Sequence, residues 1–255
     1  MRTKTNKKIA LIFDGFDQGG IGVFNLKAAQ WLLDHGFEVD LVVFSINGPR
    51  KDQTPIGAKV VNLDRASKFT LIAKLVLYFL NSKPDGVIVS NVITSVYVSI
   101  ARTLALKKCN VIGVHHTNIE TDTSKGSSIL HRIAVRYFVL ASIRFFSLKV
   151  GSVSEGARNA ISRKTGVKQD RISIFFNPVS LEDSHFRLPE SIVNWWNEAE
   201  CKVLTVGRLT SEKGLSTLLD AIQELQKTID AKLVIVGSGP YETPLRQKIK
   251  AGSLS

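Results

Sequence analysis

Short apolar runs alternate along this chain with longer stretches whose apolar residues recur at spacings of three and four, and the two patterns predict different elements. Runs bounded by glycine, proline or polar turns predict strands over 8–14, 37–44, 59–63, 86–90, 110–115, 149–153 and 171–176. The longer spacing predicts helices over 20–35, 68–82, 92–106, 128–148 and 155–165, with a polar loop at 117–127. Beyond residue 200 the same reading gives a strand at 202–206, a helix carrying Leu215, Leu218, Leu219, Ile222 and Leu225, a strand at 233–236 and a helix over 241–250. This alternation predicts an α/β fold with parallel, doubly wound sheets, whose ligands sit at the C-terminal ends of the strands. Functional residues are therefore expected in the turns that follow strands.

The most informative turn is Gly207-Arg-Leu-Thr-Ser-Glu-Lys-Gly214, where a strand gives way to a helix and Arg208 and Lys213 stand beside the predicted helix start. A helix N-terminus favours anions, and a guanidinium and an ammonium add charge and a fork of donors, so a diphosphate is the natural ligand. A pair of solvated loop cations is the plainer alternative. The next strand ends in a second glycine turn, Gly237-Ser-Gly239-Pro240, with Pro240 placed to begin another helix. Near the N-terminus, Gly19, Gly20 and Gly22 link the first strand to the first helix, a geometry that lets backbone N–H groups approach a phosphate or sugar. A dinucleotide fingerprint fits poorly, because Asn25 occupies the place of its third glycine and the strand over 37–44 runs into Ser45-Ile-Asn47 without an acid.

These residues resemble the family 4 glycosyltransferases, enzymes of the GT-B fold. The likeness rests on G-R-L-T-S-E-K-G, the following apolar helix, L-V-I-V-G-S-G-P and the Gly19-Gly20 loop, and it covers nearly all of the chain. It implies a complete N-terminal Rossmann-like sheet (1–176, the acceptor side), an interdomain linker (177–200) and an incomplete C-terminal nucleotide-sugar-binding domain (201–255). It further implies retaining transfer of a sugar from a UDP-sugar or GDP-sugar to a hydroxyl of a saccharide or lipid-linked acceptor, in polysaccharide synthesis, with no cofactor and no metal. Arg208 and Lys213 would neutralise the diphosphate, Gly19, Gly20 and Gly22 would meet it through backbone, and Gly237 and Gly239 would form a further donor-site loop. His116, in His115-His116-Thr117, matches a histidine that the family places beside the reacting sugar, with His115 its alternate. Phe175-Phe-Asn177-Pro178 resembles the family's turn at the domain boundary, while Ser154 reads first as a helix cap.

Composition narrows the partners. The chain has 255 residues, 44% hydrophobic, and 34 Lys plus Arg against 22 acids, a net +12, which suits nucleotide-sugar phosphates or an acidic membrane surface. No aromatic-interleaved nucleic-acid motif is present, so nucleic acid is not expected as a partner. Cys109 and Cys201 fall in different halves and no disulfide is expected between them. The N-terminal basic stretch is interrupted by Asp14 and Asp17, unlike a secretory signal, and a cytoplasmic place is expected. The helix over 128–148 sets Arg132, Arg136 and Arg144 on one face; it is either an ordinary packed helix or a peripheral contact with the inner face of the plasma membrane. The residues from Asn177 to Glu200, rich in acids and proline, read as the connection, with Trp195 and Trp196 packing on a neighbouring surface.

Two departures from the family bear on activity. No pair of glutamates separated by seven residues follows Cys201, and the sheet there has only two predicted strands, about 100 residues short of an ordinary domain. The chain is therefore expected to be a truncated glycosyltransferase, inactive as it stands. No Asp-x-Asp metal motif occurs; Glu120-Thr-Asp122 reads as a solvated loop. A non-catalytic nucleotide-binding half acting with a partner chain, and an oxidoreductase, are the competing classes.

Overall fold

A computed structural model of the chain describes residues 7–16, 19–64, 68–116, 137, 140, 141, 143, 148–178 and 189–252. It divides into two compact units, Met1–Ser180 and Leu181–Ser255.

The first unit is a seven-stranded sheet of order β3-β2-β1-β4-β5-β6-β7. The strands are β1 (Lys8–Gly15), β2 (Glu38–Ser45), β3 (Lys59–Asn62), β4 (Gly86–Val89), β5 (Asn110–His115), β6 (Leu148–Ser152) and β7 (Ile172–Ile174), and every pairing is parallel. Helices α1 (Gly20–Asp34), α2 (Lys68–Ser82), α3 (Val92–Leu104) and α4 (Glu155–Thr165) connect them. Both faces of the sheet are covered, which is why its central strands are apolar without polar alternation. Ala10 and Ile12 join Leu75, Phe79, Val98 and Ala101 in one core, under α2 and α3. Leu11 and Phe13, pointing the other way, join Leu26 and Ala29 of α1 and Leu41 of β2 in a second. The strand order reverses between β1 and β4, so their C-terminal ends flank the crevice that parallel sheets use for ligands.

The second unit has helix α5 (Glu190–Glu198), then β8 (Cys201–Val206), α6 (Leu215–Leu225), β9 (Ala231–Val236) and α7 (Glu242–Ala251). β8 and β9 pair in parallel from Cys201↔Ala231 to Val206↔Val236. Leu215 and Leu219 of α6 and Leu245 of α7 close a small core with Leu233 and Ile235 on one face of the pair. Leu204 and Val206, on the alternate register, remain exposed.

Several boundaries differ from the sequence reading for local reasons. The stretch read as a plain connection carries α5, which starts after Pro189. Trp195 packs within its own unit: the Lys232 Nζ donates to the Trp195 carbonyl at 2.7 Å and sits 5.2 Å from its ring centroid. The helix over 92–106 ends at Leu104, because Leu106 turns left-handed, with φ 53°. Leu148 opens β6 and is not the end of a helix, and β7 is limited to Ile172–Ile174 by a 3₁₀ turn at Gln169–Arg171. The rest of the region read as a helix over 128–148, with Arg132, Arg136 and Arg144, lies outside the described residues apart from four helical positions at 137, 140, 141 and 143. Glu120 and Asp122 lie outside them as well.

Candidate functional site

The glycine turn of the first unit sits at the start of α1. Gly19 is the N-cap, extended at φ −70° and ψ 163°, with no side-chain cap, and the first turn of α1 holds no acid. The leading N–H groups of the helix, which have no carbonyl partner within it, are thus offered to an anion without a carboxylate in their own turn. The space is there too: a Cβ built on Gly19 or Gly20 would meet nothing within 4 Å. Gly22, by contrast, is buried in the helix. What fixes this turn is Asn25, fully buried one turn further on. Its Nδ2 donates to the Ser90 Oγ and to the Ile21 carbonyl, each at 2.8 Å, and the Ser90 hydroxyl donates back to its Oδ1 at 3.2 Å. Ser90 follows β4 directly, so α1 is tied to the strand across the crevice.

His116 reaches the same place from β5. Its ring stands edge-on to Phe24 of α1, with centroids 4.7 Å apart and planes at 67°. Among the described residues neither ring nitrogen has a hydrogen-bond partner of good geometry, although both are shielded from water. Burial drives its pKa down to about 4, partly offset by the nearby Asn177 side chain, so the imidazole is neutral at pH 7. His115, the last residue of β5, is more deeply buried, its Nδ1 also unpartnered, and burial together with His116 pushes its pKa down to about 3. Of the two, His116 is the less buried and adjoins α1; His115 is buried at the end of β5.

In the second unit Arg208 and Lys213 are both exposed, but the helix does not begin beside them. A 3₁₀ turn, Ser211–Lys213, intervenes, then Gly214 at φ 66° caps α6, which starts at Leu215. Arg208 lies 3.9 Å from Glu212, a contact the sequence reading did not assign, and an exposed pair of this kind is worth about 0–1 kcal/mol, little enough for an anion to displace. Gly237 and Gly239 have a clear backbone role. A Cβ on Gly237, at φ 154°, would overlap the Gly207 carbonyl oxygen, and one on Gly239 would overlap that of Leu209. The two strand-end turns are laced together by Gly207 N–H to the Val236 carbonyl and Leu209 N–H to the Ser238 carbonyl, both at 2.9 Å. A cavity of about 380 Å³ beside β9, lined by Leu209, Leu219, Leu233, Ile235 and Leu245 with Lys232, Glu242 and Arg246 among others, includes neither Arg208 nor Lys213.

A family model for "Glycosyltransferase Family 4" matches residues 18–183, and one for "Glycosyl transferases group 1" matches 190–255. The chain belongs to glycosyltransferase family 4. The amylovoran biosynthesis glycosyltransferase AmsD of Erwinia amylovora is 28% identical over 247 residues, 95% of this chain and 65% of that protein. Anabaena HepE, solved with UDP and glucose, shares the fold at a TM-score of 0.73 and 19% identity over 98% of this chain and 67% of its own. The lipopolysaccharide outer core galactosyltransferase WaaB in its apo form does so at 0.60 and 20%, over 97% and 65%. The chain thus spans about two thirds of the length of the relatives it matches, and its fold is GT-B.

Within this family member the remaining candidates are placed simply. The Ser154 Oγ accepts from the Ala157 N–H at 3.1 Å, a helix N-cap. Asn177 and Pro178 follow β7, both exposed. Cys109 and Cys201 are free thiols, one in each unit. Among the described residues no three His, Cys, Asp or Glu side chains group as metal ligands, and no helix is long and apolar enough to cross a membrane.

Proposed function

We propose that this protein belongs to the machinery of polysaccharide synthesis and transfers a sugar, with retention of configuration, from a nucleoside diphosphate sugar to a hydroxyl acceptor. The observation that carries the reading is the meeting, beside the switch point of the first sheet, of an uncapped glycine-rich helix N-terminus with a neutral histidine packed on the same helix. The first offers N–H groups and dipole to an anion, and the second offers one donor and one acceptor to a neutral ligand. A diphosphate joined to a sugar has both chemistries in one molecule. The name of AmsD and the UDP and glucose bound to HepE support the substrate class; retention rests on the resemblance to the family.

In this reading the sugar's anomeric carbon breaks its bond to the diphosphate oxygen and bonds to the acceptor oxygen on the same face, while the acceptor proton passes to the departing phosphate. His116 acts through hydrogen bonds to sugar hydroxyls and not as a cation, since its low pKa keeps it neutral. Arg208 and Lys213 are the cations of the second unit that bind diphosphate charge, and UDP or GDP is the nucleotide. The role needs no cofactor. The test is calorimetric binding of UDP and GDP to the protein: Arg208→Ala or Lys213→Ala is expected to weaken it at least tenfold, the loss of a charge-assisted contact. Affinity unchanged by both variants would overturn the assignment.

A further inference from the structure

At the opposite end of the first sheet, where the strands begin, α2 and α3 end side by side over the same core, and both endings carry side chains the fold does not use. Leu77 and Leu80 of α2 are 57% and 44% exposed, and Leu104 and Leu106 at the end of α3 are 63% and 89% exposed. Leu106 is the telling residue. The Leu106 N–H donates to the Thr103 carbonyl at 3.0 Å and the Lys107 N–H to the Arg102 carbonyl at 3.1 Å, the two bonds of a Schellman ending, in which glycine normally takes the left-handed position. A leucine there costs about 1 kcal/mol of backbone strain and, at 89% exposure, recovers almost none of it by packing. Lys83 ends α2 with the same strained sign, at φ 49°.

The charge around these leucines is one-sided. From Ser82 to Asn110 the chain holds four cations, Lys83, Arg102, Lys107 and Lys108, and one acid, Asp85, whose carboxylate already accepts the Lys8 backbone N–H at 2.7 Å. Three of the cations, with Cys109 and Asn110, line an open depression of about 400 Å³. The Arg102 guanidinium is held in place by donating to the Cys109 carbonyl at 2.9 Å. Exposed leucines beside a basic depression form the two-part surface that an anionic bilayer satisfies, with the side chains entering the acyl boundary and the headgroup phosphate meeting the cations.

We propose that this end of the first unit, built from Leu77, Leu80, Leu104 and Leu106 with Arg102, Lys107 and Lys108, docks on anionic phospholipid. It lies one strand length, about 20 Å for the six residues of β5, from His116, so docking leaves the donor-side strand ends facing away from the lipid. The proposal is independent of the donor-site reading.

The experiment is sedimentation of the protein with vesicles of mixed phosphatidylglycerol and phosphatidylcholine against vesicles of phosphatidylcholine alone. Binding is expected only on the anionic vesicles and should weaken as salt rises. Lys107→Glu with Lys108→Glu should reduce it by about fivefold or more for each cation removed. Leu106→Asn is the discriminating variant, because asparagine suits the left-handed position and leaves the fold at least as stable while removing the apolar side chain; it should lower binding at least fivefold. An environment-sensitive dye on Leu106→Cys should shift to the blue on the anionic vesicles. Equal binding to both vesicle types, no binding to either, or binding unaffected by Leu106→Asn would overturn the proposal. Binding to soluble polyglutamate as tight as to the vesicles would likewise overturn it, in favour of an acidic protein partner.

Discussion

Replacing Asn25 by alanine isolates the contact that holds the glycine turn in place. The variant removes a buried amide that donates to the Ser90 Oγ and the Ile21 carbonyl and accepts from the Ser90 hydroxyl, and it leaves the Ser90 Oγ, 3% exposed, without these bonds. A lost neutral hydrogen bond is worth about 1 kcal/mol, and an orphaned buried hydroxyl adds about 1–3 kcal/mol. The total, about 2–4 kcal/mol, is large against the stability of a domain. The mechanism also predicts a coupling: Ser90→Ala alone strands the amide, but Asn25→Ala with Ser90→Ala removes both groups, so the double variant should cost less than the sum of the singles by about 1 kcal/mol or more. Native-state hydrogen exchange of the α1 and β4 amides reads this locally, without assuming that the two units unfold together. Additive costs, or a single-variant cost below about 0.5 kcal/mol, would refute the reasoning.

Two other expectations follow from the same geometry. Gly20→Ala should leave the first unit as stable or slightly more so, since its Cβ enters open space, yet should weaken binding of a nucleoside diphosphate; Gly237→Ala should destabilise the second unit by about 1–3 kcal/mol, because its Cβ overlaps the Gly207 carbonyl oxygen, and urea titration of both variants checks the contrast. His115 and His116, with pKa values lowered to about 3 and about 4, bind fewer protons folded than unfolded between those values and about 6.5, so the stability they contribute is fully present above pH 6.5 and is lost as pH falls toward 4. His116→Gln should flatten that slope relative to the parent, and NMR should show neither ring protonating between pH 5 and 8.

Much of the architecture was legible because the strands of the first unit are buried on both faces and so are apolar throughout, and because Ser154 and the terminal glycines mark helix ends. What was not legible depends on contacts distant in sequence. Asn25 argued against a dinucleotide fingerprint, but its partner Ser90 lies 65 residues away, and nothing local announces that the pair ties α1 to β4. Gly237 and Gly239 read as donor-site-loop glycines, and nothing local shows that the turn after β8 also presses against them. The histidines were read as candidates beside the reacting sugar; burial removes a cationic role for them, and burial is a property of the fold. The helix read over 92–106 ends at Leu104, and the chain leaves Leu104 and Leu106 in solvent, which no local spacing announces.

The central claim, that the chain recognises the diphosphate of a sugar nucleotide, is tested most directly by amide NMR of the protein during titration with UDP-glucose, with uridine as control, read separately in the α1 glycine turn of the first unit and the Arg208–Lys213 turn of the second. The account predicts that the amides of Gly20, Ile21 and Gly22 and those from Arg208 to Lys213 shift with UDP-glucose and not with uridine, at concentrations that leave the β2 and β3 amides unmoved. Shifts absent from both turns, or equally large with uridine, would contradict it.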